Sequence, residues 1–308
     1  MILLWVVIFI VSLAILILGA EWLLISAQKI GLKIGLSPFV VGMTIVAFGT
    51  SLPELVSAIV ANFRGLNEFA VANAVGSNIA NILLVIGIAT LFARKLQVTK
   101  DLINLDLPLL AISTSIFLLV AWDGKINFFE SLFLLATYII YVGFTLIYED
   151  NDEEESDSPK VYVLDYIKLI FGIAGLSLGA SYLINSVEQL ALIFNISTGI
   201  IAITAVAIGT SLPEIIVSVK AAIRRQSEVA LGNIFGSNVF NILMVVGLPG
   251  LFGTLYLDSQ TMLVGLPVLI ISTLLFVISG ISRKIHVQEG ALFLLLYVIF
   301  IAKLFNLF

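Results

Sequence analysis

The sequence predicts an all-α polytopic membrane protein in which ten transmembrane helices form two inverted five-helix repeats. Three observations predict it. Of 308 residues, 60% are apolar and only 11% are charged, with a mean hydropathy of +1.17. The apolar residues gather in long runs separated by short turns. Finally, TIVAFGTSLPE at 44–54 recurs as TAVAIGTSLPE at 204–214, with nine of eleven residues identical at an offset of 160.

Soluble domains carry roughly a quarter charged residues because their surface is wetted, so a chain with less than half that share faces lipid over most of its surface. A large water-soluble catalytic domain is excluded. A hydrocarbon core of about 30 Å takes roughly 20 apolar residues per helical span. Reading apolar runs against turn residues and charges places helices near 2–28, 37–63, 67–93, 103–121, 127–148, 162–192, 197–223, 227–253, 259–281 and 287–307. The first run, MILLWVVIFIVSLAILILGAEWLL, has no basic residue ahead of it and is long, which reads as a first transmembrane helix rather than a cleaved signal. The chain then divides into a first repeat (1–148), an acidic loop (149–161) and a second repeat (162–308).

The formal net charge of −5 is one loop's property, since Glu149–Asp157 hold seven carboxylates and the remainder has 15 basic against 13 acidic residues. No basic patch serves nucleic acid. Without cysteine there are no disulfides, thiolate metal sites or cysteine nucleophiles. With the N-terminus outside, twelve Lys and Arg fall at inner helix ends and loops, against Arg64, Lys125 and Lys303 outside. This positive-inside bias predicts a multi-pass cell-membrane protein with both termini extracellular and the acidic loop, a solvated charge run, in the cytoplasm. The lipid bilayer is the expected environment, and no obligate protein partner is evident.

A second block keeps the same offset: NAVGSNIANILLVIG at 73–87 matches NIFGSNVFNILMVVG at 233–247, and Gly19 and Ala20 match Gly179 and Ala180. Because five is odd, the second half enters the membrane from the opposite side, so the repeats are inverted. Such symmetry puts a substrate site between the halves and lets one architecture open to either side. Close helix packing alone would explain Gly76, Gly236 and Ala47. It leaves unexplained why the longest identical stretch carries Thr, Ser, Pro and Glu.

Glu54 and Glu214 lie well inside the second and seventh spans, where a carboxylate costs about 2.5–3.5 kcal/mol. A protonated carboxyl in a helix contact or a salt bridge would be the bland alternatives, but no Lys or Arg lies near mid-membrane in this assignment. A cation from solution is the natural counter-charge. Ala47, Thr50, Ser51 and Glu54 follow helical spacing on one face, as do Ala207, Thr210, Ser211 and Glu214. Pro53 and Pro213 each remove a backbone donor, which predicts a kink or unwinding around Gly49 and Gly209 and freed carbonyls near Ala47 and Ala207. In the third and eighth spans, Ser77 and Asn81 share a face, and Ser237 and Asn241 repeat the arrangement. Asn73, Asn78, Asn233 and Asn238 read as structural.

The candidates are all oxygen donors, and His286 is the one imidazole in the chain. Oxygen cages suit hard ions: calcium takes about six to eight oxygens in irregular geometry, magnesium demands a strict octahedron, and sodium accepts oxygens like those of calcium. Two carboxylates neutralise one divalent cation or offset most of the charge of two or three monovalent ones, and mutual exclusion in one site is the physical basis of exchange. No cofactor is called for. An ion channel could also hold buried carboxylates, but inverted repeats favour a gated exchanger. An intramembrane hydrolase would need a base that Ser51 or Ser211 lacks, so the chain is not read as an enzyme.

GTSLPE followed by GSNIAN, and again GTSLPE followed by GSNVFN, resemble the alpha repeats of the sodium/calcium exchanger branch of the calcium/cation antiporter superfamily. The resemblance covers nearly the whole chain. It implies antiport of sodium, typically three, against one calcium by alternating access, with the first and sixth helices sliding across a four-helix core. It implies that Glu54 and Glu214 are shared central carboxylates and that Thr50 and Thr210 offer carbonyls to calcium. Ala47, Ser51 and Ser77 would complete one sodium site, Ala207, Ser211 and Ser237 its inverted counterpart, and Asn81 and Asn241 would line the middle. Archaeal and potassium-dependent members often carry Asp where Asn241 stands, so the chain resembles the potassium-independent pattern there. A proton/calcium exchanger is the nearest alternative, although its usual repeat motif differs from GTSLPE.

Overall fold

A computed structural model describes residues 2–97, 106–147, 159–193 and 211–304. The helices, numbered in chain order, are α1 (Ile2–Lys33), α2 (Pro38–Phe63), α3 (Phe69–Ala93), α4 (Asp106–Asp123), α5 (Phe128–Ile147), α6 (Val163–Ile193), α7 (Leu212–Ile223), α8 (Ser227–Gly250), α9 (Thr261–Ile281) and α10 (Val287–Leu304). Among the described residues, nine of these are long and apolar enough to cross a membrane, and α7 is described only for its second half. Nine of the ten expected spans are present among the described residues and α7 falls within the expected range of the other, while α1 runs on to Lys33 instead of ending near residue 28.

Burial is inverted relative to a soluble protein. Leu3, Phe133, Ile139 and Leu263 are exposed, while Thr50, Ser51, Glu54, Asn81, Ser218, Asn233 and Asn241 are buried. A chain solvated by hydrocarbon turns its large apolar side chains outward and collects its polar ones where helices can satisfy them. Among the described spans α8 is the most enclosed, with every residue from Val229 to Phe240 buried, so the second repeat's GSNVFN segment lies inside the molecule.

Small residues let the halves approach. A Cβ on Gly232 would meet the Phe39 carbonyl at 2.2 Å, one on Gly236 the Met43 carbonyl at 2.0 Å, and one on Gly42 the Val229 carbonyl at 2.4 Å. Thus α2 of the first repeat and α8 of the second touch backbone to backbone, the packing that small-xxx-small spacing permits in lipid. The same device joins α1 to α6, where a Cβ on Gly172 would fall 2.7 Å from Leu23 N and one on Gly19 2.8 Å from Leu176 N.

Two features were not visible in the sequence. Four short strands, β1 (Lys95–Gln97), β2 (Lys125–Ile126), β3 (Leu255–Tyr256) and β4 (Lys284–His286), form two antiparallel pairs, β1 with β4 and β2 with β3. Each pair joins the two repeats, and the offset of 160 carries one pair onto the other: Leu96↔Ile285 becomes Tyr256↔Lys125. The inverted symmetry therefore extends to the connections. The second feature is a set of π-helical turns within spans, at Gly42–Val46, Ala80–Val85, Asn241–Val245 and Thr261–Gly265.

The π turns bear on the expected break at Gly49. The helix Ala47–Phe63 runs unbroken through Gly49 and Pro53, and the irregular turn lies upstream at Gly42–Val46. The expectation of unwinding at Gly49 is thus corrected. A π turn shifts the bonding register by one residue and absorbs the local distortion there, and the close seat of Gly42 against α8 holds it in place. Gly209 lies outside the described residues. Pro213 sits in the first turn of α7, where a missing N–H breaks no helical bond.

Apart from Lys125–Asp123, an exposed pair at the opposite end, the ion pairs among the described residues lie toward the end that the charge bias assigns to the cytoplasm. Lys220 and Arg224 of α7 bind Glu21 of α1 at 3.0 and 2.7 Å, and Lys29 of α1 binds Asp165 of α6 at 2.9 Å. Glu21 had no assigned partner in the sequence because its partners lie two hundred residues away. Arg94, Arg225 and Arg283 all adopt left-handed backbone angles at this end. At the position repeat-related to Arg225, the opposite end has Gly65, also left-handed.

Candidate ion site between the repeats

The two recurring segments meet. Ser51 Oγ, on α2, donates to Glu214 Oε1, on α7, at 3.0 Å, a contact between equivalent stretches of opposite repeats. Helical spacing puts Thr50, Ser51 and Glu54 on the buried side of α2, and Ser211 and Glu214 lie on the buried side of α7. Glu54 and Glu214 are 2% and 1% exposed.

Repulsion between two buried carboxylates is costly unless something positive lies between them. Among the described residues, both oxygens of Glu54, Oε2 of Glu214, the hydroxyls of Ser77 and Ser211, and both amide atoms of Asn81 and Asn241 are buried without a hydrogen-bond partner. Native interiors leave few such atoms, since each one stranded costs about 1–3 kcal/mol, more when charged. The group spans α2, α3, α7 and α8, and its carboxylate, hydroxyl and amide oxygens are acceptors left unengaged. Hard cations fit such a set. Among the described residues, no three acidic or imidazole side chains cluster, so the donors are two carboxylates joined by neutral oxygens.

Two further candidates contact Thr50. Ala47 is 1% exposed, and its carbonyl lies 3.2 Å from the Thr50 hydroxyl. Ser237, grouped by the resemblance with Ala207 and Ser211, stands 3.4 Å from Thr50 of the other repeat. Like the Ser51–Glu214 bond, this contact shows donors interleaving across the repeat boundary. Ala207 and Thr210 lie outside the described residues. Asn81 and Asn241 fall within or at the start of π turns of their spans. A π turn loosens the backbone hydrogen-bond ladder and is often found at functional sites; no pattern of side chains signalled it.

Asn78 donates to the Asn238 carbonyl at 2.8 Å and Asn238 to the Ile234 carbonyl at 2.6 Å, so the Nδ2 group of each serves the scaffold, while neither Oδ1 has a partner among the described residues. Asn233, also read as structural, instead reaches Thr50: its Oδ1 accepts from Thr50 Oγ1 at 3.2 Å while its Nδ2 donates to Ser218 Oγ at 3.0 Å.

An inverted-repeat helical membrane protein that buries paired carboxylates where its halves cross defines the class of secondary transporters. The family described as sodium/calcium exchanger protein matches residues 4–147 and again 165–306, one match per repeat. The chain is 30% identical to the sodium/calcium exchanger MaX1 of Methanosarcina acetivorans, over 97% of each chain. It is 33% identical to the inner membrane protein YrbG of Escherichia coli, over 79% of this chain and 78% of the other. Among solved structures, the sodium-calcium exchanger NCX_Mj, soaked without sodium and calcium, superimposes with a TM-score of 0.83 at 32% identity, covering 99% of this chain and 100% of that one. The chain belongs to the sodium/calcium exchanger family.

Proposed function

We propose that the protein is a secondary active antiporter that exchanges sodium for calcium by alternating access, three sodium ions against one calcium, so that each cycle moves net charge. The observation that carries this reading is the bond from Ser51 of the first repeat to Glu214 of the second, beside buried oxygens of Glu54, Glu214, Asn81 and Asn241 that have no hydrogen-bond partner among the described residues. Family membership and the activity named for MaX1 support it. In this reading Glu54 and Glu214 are shared by both ions, Thr50 and Thr210 offer calcium their carbonyls, and Ala47, Ser51, Ser77, Ala207, Ser211 and Ser237 serve sodium. Asn81 and Asn241 line the middle, and the neutral Asn241 sets potassium aside. A calcium ion and a full set of sodium ions cannot share two carboxylates, so each displaces the other. No covalent chemistry and no cofactor enter.

Isotope flux in proteoliposomes, with sodium, potassium and protons varied independently, tests this. An outward sodium gradient should drive calcium uptake without potassium, and an inside-positive potential should accelerate it, because three positive charges leave for two that arrive. Uptake driven only by a pH gradient would make the protein a proton/calcium exchanger instead.

Both termini are assigned to the outside and residues 149–161 to the cytoplasm, on the charge bias and on the three left-handed arginines gathered at one end. A cysteine introduced at Asp152, in a chain with no other thiol, should resist a membrane-impermeant reagent in intact cells and react after permeabilisation. Labelling in intact cells would reverse the orientation.

A further inference from the structure

We propose that Asn233 is a positioning residue of the ion site: it takes the proton of the Thr50 hydroxyl and so leaves the Ala47 carbonyl free to face a cation. The inference rests on the reading of the site given above. Thr50 Oγ1 has one proton and, besides Ser237 Oγ at 3.4 Å, two carbonyl-type acceptors at the same shorter distance, the Ala47 carbonyl and Asn233 Oδ1, both at 3.2 Å. Threonine in a helix ordinarily gives its proton to the carbonyl one turn back. Thr44, Thr90, Thr114 and Thr137 all do so, four residues back, at 2.6–2.9 Å. Thr50 departs from them: its contact is three residues back and longer.

Asn233 is built to win that proton. As oriented in the structure, its Nδ2 donates to Ser218 Oγ at 3.0 Å, and this aims Oδ1 at Thr50. Thr50, Ser218 and Asn233 are all 0% exposed, so water does not substitute for any of them. The relay runs from α7 through α8 to α2 and crosses the repeat boundary at its last step. With its proton committed to Asn233, Thr50 no longer occupies a lone pair of the Ala47 carbonyl.

Duplication does not dictate this arrangement. The offset of 160 pairs Asn233 with Asn73 but Ser218 with Ala58, which has no hydroxyl to anchor an amide. Asn73 Nδ2 is buried and finds no acceptor among the described residues. The relay at Ala47 is therefore anchored in a way that its repeat-related counterpart is not. A carbonyl contribution weighs most for a monovalent ion held largely by neutral oxygens, so sodium is the ion the relay serves.

The test is the half-saturating sodium concentration for sodium/calcium exchange, set against the KM of calcium in sodium-free calcium/calcium isotope exchange, in proteoliposomes. Asn233→Ala returns the Thr50 proton to Ala47 and should raise the sodium value about tenfold, the scale of one buried hydrogen bond, with calcium KM shifted less than about threefold. Asn233→Asp keeps an acceptor oxygen toward Thr50 in either protonation state and should restore the sodium-to-calcium ratio. Ser218→Ala, which copies Ala58, should move sodium a few-fold in the same direction and serves if Asn233→Ala does not assemble. Equal shifts for both ions, or no shift in either Asn233→Ala or Ser218→Ala, overturn the inference. Glu54→Gln in the same assay separates the two levels: if it still transports, the site itself is misassigned, whereas its inactivity beside an ion-blind Asn233→Ala condemns the relay alone.

Discussion

Glu54→Gln and Glu214→Gln should each abolish calcium flux in proteoliposomes while the purified protein stays monodisperse. The substitution keeps shape and removes charge. Breaking a buried charge pair by removing one partner typically costs about 3–5 kcal/mol, a loss of roughly hundredfold or more in affinity for a divalent ion. Folding should not suffer, because both Glu54 oxygens and one Glu214 oxygen have no hydrogen bond to lose among the described residues. A neutral Gln relieves the repulsion between the carboxylates, so the ion-free variants should melt at or above the parent temperature while losing stabilisation by added calcium. Asn81→Leu, which removes one neutral oxygen, should weaken flux without abolishing it. Robust transport by either Gln variant would show that the two carboxylates are not the ion's seat.

The second large effect is expected at Gly236. An alanine Cβ there would lie 2.0 Å from the Met43 carbonyl and 2.7 Å from Ala47 Cβ, and backbone cannot swing aside as a flexible side chain does. Overpacking in a well-filled interior costs about 1–3 kcal/mol, and a backbone clash stands at the upper end or beyond. The strain would fall on the Gly42–Val46 π turn and on Ala47. Gly236→Ala should therefore lower the thermal midpoint by several degrees and abolish exchange together. Gly143→Ala is the control: nothing lies within 4 Å of its Cβ position, and alanine is the better helix former by about 1 kcal/mol. Equal behaviour of the two variants, in stability and in flux, would mean that α2 and α8 do not touch as described.

Much of the fold was legible because lipid enforces simple rules. A span must be long, apolar and helical, so nine of the expected spans appear close to their predicted ends. The identity of the central residues was legible for the opposite reason, since Glu54 and Glu214 break the rule in matched places. Other features depended on distances that periodicity does not carry. Proline at 53 pointed to a disturbance near Gly49, but the register shift lies at Gly42–Val46, where the neighbouring helix presses closest. Asn233 and Asn238 look alike in the sequence; one bonds the carbonyl of its own helix and the other reaches across to Thr50.

By itself the sequence determined that the chain lives in a bilayer, that its halves enter from opposite sides, and that acid and amide groups stand at equivalent depths in each. Those properties follow from composition, from an odd number of crossings and from a constant offset, and none needs a neighbour to define it. Only the tertiary structure decided which oxygens remain without donors, which hydroxyl bridges the repeats through Ser51 and Glu214, and where π turns replace ordinary helix. Such outcomes depend on how closely two backbones approach, and that distance is set jointly by residues far apart in the chain, here Gly232 and Gly236 against Phe39 and Met43.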